Sequence, residues 1–395
     1  MPLGGPPEVR QVYLAATGQN RGKTTVSLGV IDGFRKRGLS TGFIKPVGQR
    51  TVIEDGVPAD EDAILMRSVF GLTETLDRMS PVHIPRGFTR AYIEGRVVED
   101  LAARIRTAQA SFAETCEILL IEGTGHAGVG AVIGLSNAVV AAMLGAPAII
   151  VSEGGVGRPI DEIVLNAALF ERHGVRVAGA IVNKVDLDAR PDLGRVLERG
   201  LERAGIPLLG VLPYRSILSN PTLAMVLESV NGETIHPGPD LDQVIGAVAI
   251  GAMEPEHMLE RVGPQTLVIV PGDREDVILA LTTAHLMGPA GGGAGVLGAG
   301  NGSPQAAERW SGSALGLVLT GGYRPRPAVL DAIRRADLFA TLVASDTYAV
   351  ASDIHDLLVK THPSDSGKIE EIKSLVWDHL EIDRVLEAAA EAPLG

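Results

Sequence analysis

Cysteine, large aromatic rings and positive charge are all scarce in this chain of 395 residues. The single cysteine, Cys116, excludes any intrachain disulfide. Aromatic residues make up 4% of the chain, too few for a sandwich core built on large rings. Glycine and alanine are abundant instead, which suits helices packed closely on a sheet. The net charge is −13 and no basic run occurs, so neither nucleic acid nor an anionic membrane surface is expected as a partner, while a local phosphate pocket stays compatible with that balance. The N-terminus MPLGGPPEVR holds no apolar signal core, and a cytoplasmic protein is expected. Charge is also missing between Glu122 and Glu153. A hydropathy window would read that stretch as a membrane span, but its glycines, Asn137 and Pro147 divide it into a loop, a short helix and a buried strand. Two domains are the default at this length.

What is present begins near the N-terminus. A strand signal, Val12 to Ala16, runs into Ala16-Thr17-Gly18-Gln19-Asn20-Arg21-Gly22-Lys23-Thr24-Thr25, and an amphipathic segment follows from Thr24 to Arg37. This order of strand, loop and helix reads as a phosphate-binding loop. Its backbone N–H groups line a concavity at a positive helix end, Lys23 reaches terminal phosphates, and the Thr24 hydroxyl suits Mg²⁺. Thr17 stands where the strict pattern has its first glycine. The residues expected to hold a nucleoside triphosphate are Thr17, Gly18, Asn20, Gly22, Lys23, Thr24 and Thr25.

Further apolar runs at Thr41–Ile44, Ile118–Ile121, Ala148–Val151, Val177–Val182 and Leu208–Leu212 alternate with helical patterns, which predicts an α/β parallel sheet flanked by helices. Ligands in such sheets bind at the carboxyl ends of the strands, and polar candidates stand there. Lys45 ends a strand beside Pro46 and could neutralise a phosphate or carboxylate. Of Asp60, Glu61 and Asp62, which precede a helix, Asp62 is the first choice for a Mg²⁺ ligand and Asp60 the second, although a helix cap explains either. Glu122 ends Ile118–Ile121 and is placed as a carboxylate that holds Mg²⁺ directly or through water. His126, in the glycine loop after it, is read as structural. Asn183-Lys184-Val185-Asp186 has the form of a guanine reader, yet Asn183 alone at that strand end can equally read adenine, so the base stays open.

The turn-rich stretch Asn231–Asp240 reads as a domain boundary, giving domains at 1–230 and 241–395. In the second, Thr266–Val270, Leu315–Leu319 and Ala340–Ala344 read as strands, Gly288–Ser313 as a mobile surface loop, and Tyr348–Ala390 as a helical tail.

Taken together, residues 10 to 230 resemble dethiobiotin synthetase and the amidotransferase-type synthetases that make cobyrinic acid diamide. The loop with Thr17, Lys45-Pro46-Val47, Asp62-Ala63, Glu122-Gly123 and Asn183 carry the resemblance. It implies ATP with Mg²⁺ held by Thr24, Asp62 and Glu122, catalytic roles for Lys23, Lys45 and Glu122, and phosphorylation of a carboxylate or carbamate. The second domain is similar to a DRTGG domain, with Asp273, Arg274, Thr320, Gly321 and Gly322 in its two signature turns and as an effector site. This pairing is similar to the N-terminal two-thirds of long bacterial phosphate acetyltransferases, where it serves regulation and assembly. The acyltransferase domain of that family is expected to be absent, and acetyl transfer is not carried over. The expected function is a Mg-ATP-binding regulatory or sensor protein acting across a homodimer or on a protein partner. An ATP-dependent carbon–nitrogen ligase is the alternative, and a GTPase switch a further one.

Overall fold

The computed structural model describes residues 9–287, 314–355, 357 and 360–390. The stretch 288–313, expected as a surface loop, lies outside the described residues. Two compact units divide the chain, one of residues 1–215 with 361–395 and the other of residues 216–360.

The first unit is built on six parallel strands, β1 (Arg10–Ala16), β2 (Thr41–Ile44), β3 (Ile118–Glu122), β4 (Ala148–Glu153), β5 (Val177–Val185) and β6 (Leu208–Pro213). Their order is β6-β5-β4-β1-β3-β2. The strands are near-continuous apolar runs because both faces are covered, and all five residues of β3 are buried. Each large aliphatic side chain taken fully out of water contributes about 1.5–3 kcal/mol. Register brings the functional ends level. Leu14 of β1 pairs with Glu122 of β3, and Glu153 of β4 pairs with Asn183 of β5. The chain leaves β1 toward one side of the sheet and returns past it to build the other. The loop after β1 therefore sits at the point where the winding reverses, where α/β sheets bind ligands. Helix α1 (Lys23–Lys36) springs from that loop, and α2 (Glu61–Phe70) starts beside it.

The second unit has β7 (Glu233–His236), β8 (Ala247–Ile250), β9 (Thr266–Pro271), β10 (Gly316–Thr320) and β11 (Phe339–Leu342) in the order β7-β11-β10-β9-β8. Only β7 runs antiparallel to its neighbour. Alternation along β9 feeds two cores. Val268 and Val270 pack with Ile278, Leu281 and Ile333 on one face, while Leu267 and Ile269 pack with Val226, Phe339 and Val350 on the other. The fold is thus a parallel-sheet α/β unit plus a smaller α/β unit, as the sequence reading expects.

Three expectations are corrected. The stretch 231–240 is not a domain boundary, because Glu233–His236 is an edge strand hydrogen-bonded to β11 with Ile235 as its buried residue, and the change of unit falls after residue 215. The helix Leu223–Val230, expected in the first domain, seats Leu223 and Val226 in a core of the second unit. Residues 361–390, expected in the second domain, belong to the first unit. There the helices Ser366–His379 and Ile382–Ala390 cover α1. Gly29 faces Val376 and Gly33 faces Ile382 so closely that a Cβ on either would lie 2.2 Å and 2.8 Å from the facing side chain. Leu380 bridges Gly210 of β6, and the Glu381 N–H donates to the Leu209 carbonyl at 3.0 Å. Among the described residues no helix is long and apolar enough to cross a membrane. The charge-free stretch after Glu122 divides into a loop, the helix Asn137–Leu144 and β4.

Candidate functional site

α1 begins without a side-chain cap. Its N-cap is Gly22, held at φ 91°, and a Cβ there would lie 2.0 Å from the Asn183 amide nitrogen. By contrast, α2 and the helices Leu101–Ala110 and Asn137–Leu144 are capped by Asp60, Asp100 and Ser136. The first N–H groups of α1 therefore face the concavity that precedes it, together with the helix dipole, as an anion site requires.

The loop is braced from β4 and β5. The Thr17 N–H donates to the Val151 carbonyl at 2.9 Å, and its hydroxyl lies 3.2 Å from that of Ser152. Asn183 donates from its amide to the Arg21 carbonyl at 3.1 Å, and Lys184 donates from its ammonium to the Asn20 carbonyl at 2.9 Å. Arg21 itself pairs with Glu153. Asn20 and Lys184 both take left-handed backbone, at φ 59° and 56°. The donors of Asn183 and Lys184 thus hold the loop, whereas Asp186 stays exposed and accepts the Ala189 N–H at 3.0 Å.

Behind the loop lies a buried charge cluster. Lys45 donates from Nζ to Asp62 Oδ2 at 2.6 Å and to Glu122 Oε1 at 2.7 Å. The Thr24 hydroxyl donates to Asp62 Oδ1 at 3.0 Å, and the Ser27 hydroxyl donates to Glu122 Oε2 at 2.6 Å. Glu122 is 0% exposed and Lys45 4%, while the Asp62 side chain keeps 25% exposure. Burial pushes the Glu122 carboxyl up to about 7, against the attraction of Lys45. Burial alone would lower the Lys45 ammonium, but the Asp62, Glu122 and Asp60 carboxylates outweigh it and hold Lys45 well above its usual range. Burial would likewise raise Asp62, but Lys45 and the hydrogen bonds to its carboxylate hold it well below the carboxylate range. The buried Lys23 ammonium is lowered to about 8 by desolvation and then by repulsion from Lys45.

Lys23, Thr24, Lys45, Asp62 and Glu122 are therefore gathered at one strand-end mouth, but their roles diverge from the expectation. Glu122 is fully buried, with Lys45 on Oε1 and Ser27 on Oε2, so it lies behind the mouth and positions Lys45, whereas the Asp62 side chain keeps 25% exposure. Asp60, the second choice for a metal ligand, spends Oδ2 on the Gln49 and Arg50 N–H groups and Oδ1 on the Asp62 N–H. It is the helix cap. The oxygen pair that fits Mg²⁺ is Thr24 with Asp62, hard donors at the mouth. Among the described residues no group of three or more His, Cys, Asp or Glu side chains is arranged to hold a metal alone, so an ion there needs phosphate and water oxygens as well, the usual habit of Mg²⁺.

Sequence reasoning missed Ser27 and two buried asparagines. Asn137 accepts from the Tyr13 hydroxyl and the Thr124 N–H, and donates to the Thr124 and His126 carbonyls. Asn166 accepts the Ala127 N–H at 2.8 Å. Together they fix the loop after Glu122, and His126 is exposed. An asparagine at each of two otherwise apolar helix faces was the available signal.

In the second unit, Asp273 and Arg274 follow β9 while Thr320, Gly321 and Gly322 end and follow β10, the adjacent strand. The Gly272 N–H donates to the Thr320 carbonyl at 3.0 Å, and a Cβ on Gly272 would lie 1.8 Å from the Tyr323 carbonyl. Arg274 donates to both Asp276 oxygens at 3.0 Å and to the Met253 carbonyl at 2.9 Å. Thr320 and Thr347 share a 2.7 Å hydroxyl contact. Asp273 is exposed. The two turns do come together, at the carboxyl edge of their sheet.

A family model described as an AAA domain matches residues 10–222, and one described as a DRTGG domain matches residues 225–357. Among curated proteins, the chain is similar to the phosphate acetyltransferase of Nitrosomonas europaea, 24% identical over 396 residues that cover 96% of this chain and 52% of the relative. It is 22% identical over 402 residues to that of Escherichia coli, covering 95% and 52%. The chain thus spans about half the length of the curated relatives it matches. Among solved structures, MinD cell division protein of Aquifex aeolicus aligns at TM-score 0.33 and 14% identity, covering 53% of this chain and 84% of that one. The CBS and DRTGG domains of the regulatory region of Clostridium perfringens pyrophosphatase align at TM-score 0.27 and 16% identity, covering 41% and 61%.

Proposed function

Because the chain belongs to the AAA domain family through residues 10–222, with a DRTGG domain after it, we propose that it is a regulatory protein whose first unit binds Mg-ATP and whose second unit carries the response. One observation carries this reading: the uncapped start of α1 shares a single mouth with Lys23 and the Thr24–Asp62 oxygen pair. The N–H groups of Gly18 to Thr25 receive the phosphates, Lys23 meets the terminal ones, and Thr24 with Asp62 holds Mg²⁺. When bound, the ion shields the charge between neighbouring phosphate oxygens. Asn183 and Lys184 keep the loop open by tying down its carbonyls, and Asp273, Arg274 and Thr320 to Gly322 form the effector turn. The relatives named phosphate acetyltransferases support control of an acetyl-transfer activity, whether on the same polypeptide or a partner.

The ligase alternative needs Lys45 to meet charge on a transferred phosphoryl group. Lys45 is almost fully buried and already matched by two carboxylates, which favours binding with little turnover. Isothermal titration with ATP and GTP, with and without Mg²⁺, tests the proposal. Lys23→Ala is expected to weaken ATP at least tenfold, about 1.4 kcal/mol, and unchanged affinity would sink the loop assignment. Hydrolysis that appears only on adding an amine or carboxylate metabolite would restore the ligase. Preference for GTP would give Asp186 the base-reading role.

A further inference from the structure

At the opposite, amino-terminal edge of the first sheet lies a cavity of about 200 Å³, lined by Arg35, Gly42, Phe70, Thr73, Glu74 and Cys116 among others. It is smaller than the roughly 300–1,000 Å³ of clefts that take drug-sized ligands, and so matches a metabolite of a few heavy atoms. Glu74 is the anomaly there. It stands on the loop between α2 and the helix Leu76–Met79, yet is 8% exposed. Among the described residues its carboxylate pairs with the half-exposed Arg78, at 3.4 Å, long for a charge-assisted bond. A carboxylate so buried is costly without close partners. Arg35 brings the opposite charge, anchored by one Nη to the Phe70 carbonyl and lying 5.7 Å from the Phe70 ring centre. Gly42 packs closely at the floor, where a Cβ would lie 2.7 Å from Phe112 and 2.8 Å from Cys116 Sγ.

Arg35 is exposed at the rim and Glu74 is buried within, so a ligand that engages both residues must carry both signs. We propose that this cavity binds a small zwitterion of the α-amino-acid type, its ammonium on Glu74 and its carboxylate on Arg35. The site is also placed to bear on the loop. α1 runs from Lys23 to Arg35 and α2 from near Asp62 to Phe70, so each helix starts at the triphosphate mouth and ends at the cavity. Occupancy is therefore linked to nucleotide affinity, a part that rests on the nucleotide-binding reading.

The test is titration and thermal melting of the full chain with each common L-α-amino acid, beside the amine lacking its carboxylate and the acid lacking its ammonium. At least one amino acid is expected to bind and raise Tm, while its single-charge analogues do not. Glu74→Gln and Arg35→Met should each weaken it about tenfold or more. Thr73→Trp, which fills the cavity and keeps both charges, should abolish binding. No binding across the panel, tighter binding of an amine or acid, or affinity surviving Thr73→Trp would overturn the site. ATP affinity measured with and without the amino acid is expected to differ by about fivefold; identical values would overturn the linkage and leave the site standing.

Discussion

Lys45 decides the electrostatics of the first unit, because one ammonium compensates two carboxylates in a place with almost no water. Removing it strands Glu122, so Lys45→Met is expected to cost about 3 kcal/mol at neutral pH. That loss should shrink toward pH 5, since Glu122, already raised to about 7, then takes a proton and stops being a buried charge. Urea midpoints at pH 5 and pH 8 check it, and a loss equal at both would contradict the buried-charge account. Lys23 gives a second pH signature. Its folded value lies near 8 against an ordinary 10.5, so between those values the unfolded chain holds more protons, and this group's contribution to stability rises with pH. Triphosphate binding has the opposite sign, because phosphate prefers the ammonium. ATP affinity is expected to fall above pH 8 by up to about one decade per unit, and Lys23→Arg should flatten the profile, since guanidinium stays charged. A wild-type profile flat to pH 10 would remove Lys23 from phosphate contact. These residues were legible in sequence because strand ends and a glycine loop announce themselves. Ser27 and Lys184 were not, since their roles depend on which carboxylate or carbonyl the fold brings within reach.

Elements show the same division. Strands β1 to β6 were read within a few residues because burial on both faces makes them apolar throughout. The edge strands β7 and β8 were missed, as each buries little, and the hairpin Thr51–Glu54 with Val57–Asp60 is exposed except at its end. That hairpin had a signal, for Asp55-Gly56 at φ 52° and 76° is the dipeptide of a tight two-residue turn. The helices after residue 365 were legible as helices, but nothing local to them names α1 as their seat. Gly29 is the test of that seat. Alanine gains up to about 1 kcal/mol of helix propensity over glycine, yet its Cβ would lie within 2.5 Å of three Val376 carbons and is fixed to the backbone, so overpacking of about 1–3 kcal/mol should prevail. Gly29→Ala is expected to lower Tm and to speed amide exchange in Ser366–His379. A variant that melts higher than the parent would mean the helices adjust freely.

At the scale of the molecule, the second unit is an insertion in the first, which closes only when the chain returns at residue 361. A fragment of residues 9–215 should accordingly unfold at lower urea than the same fragment joined by a short linker to 361–390, and coincident midpoints would show that the returning helices add nothing. The AAA-domain match ends at residue 222, so neither it nor the sequence pattern marked this return; the packing surface on α1 is separated from its partners by more than three hundred positions. The consequence reaches back to protein synthesis. The phosphate loop leaves the ribosome before the second unit, but the helices that clamp α1 are translated after the whole of that unit. A nascent chain can hold a formed second unit while α1 still lacks its cover, so chaperone demand and proteolysis of stalled chains should concentrate on the first unit.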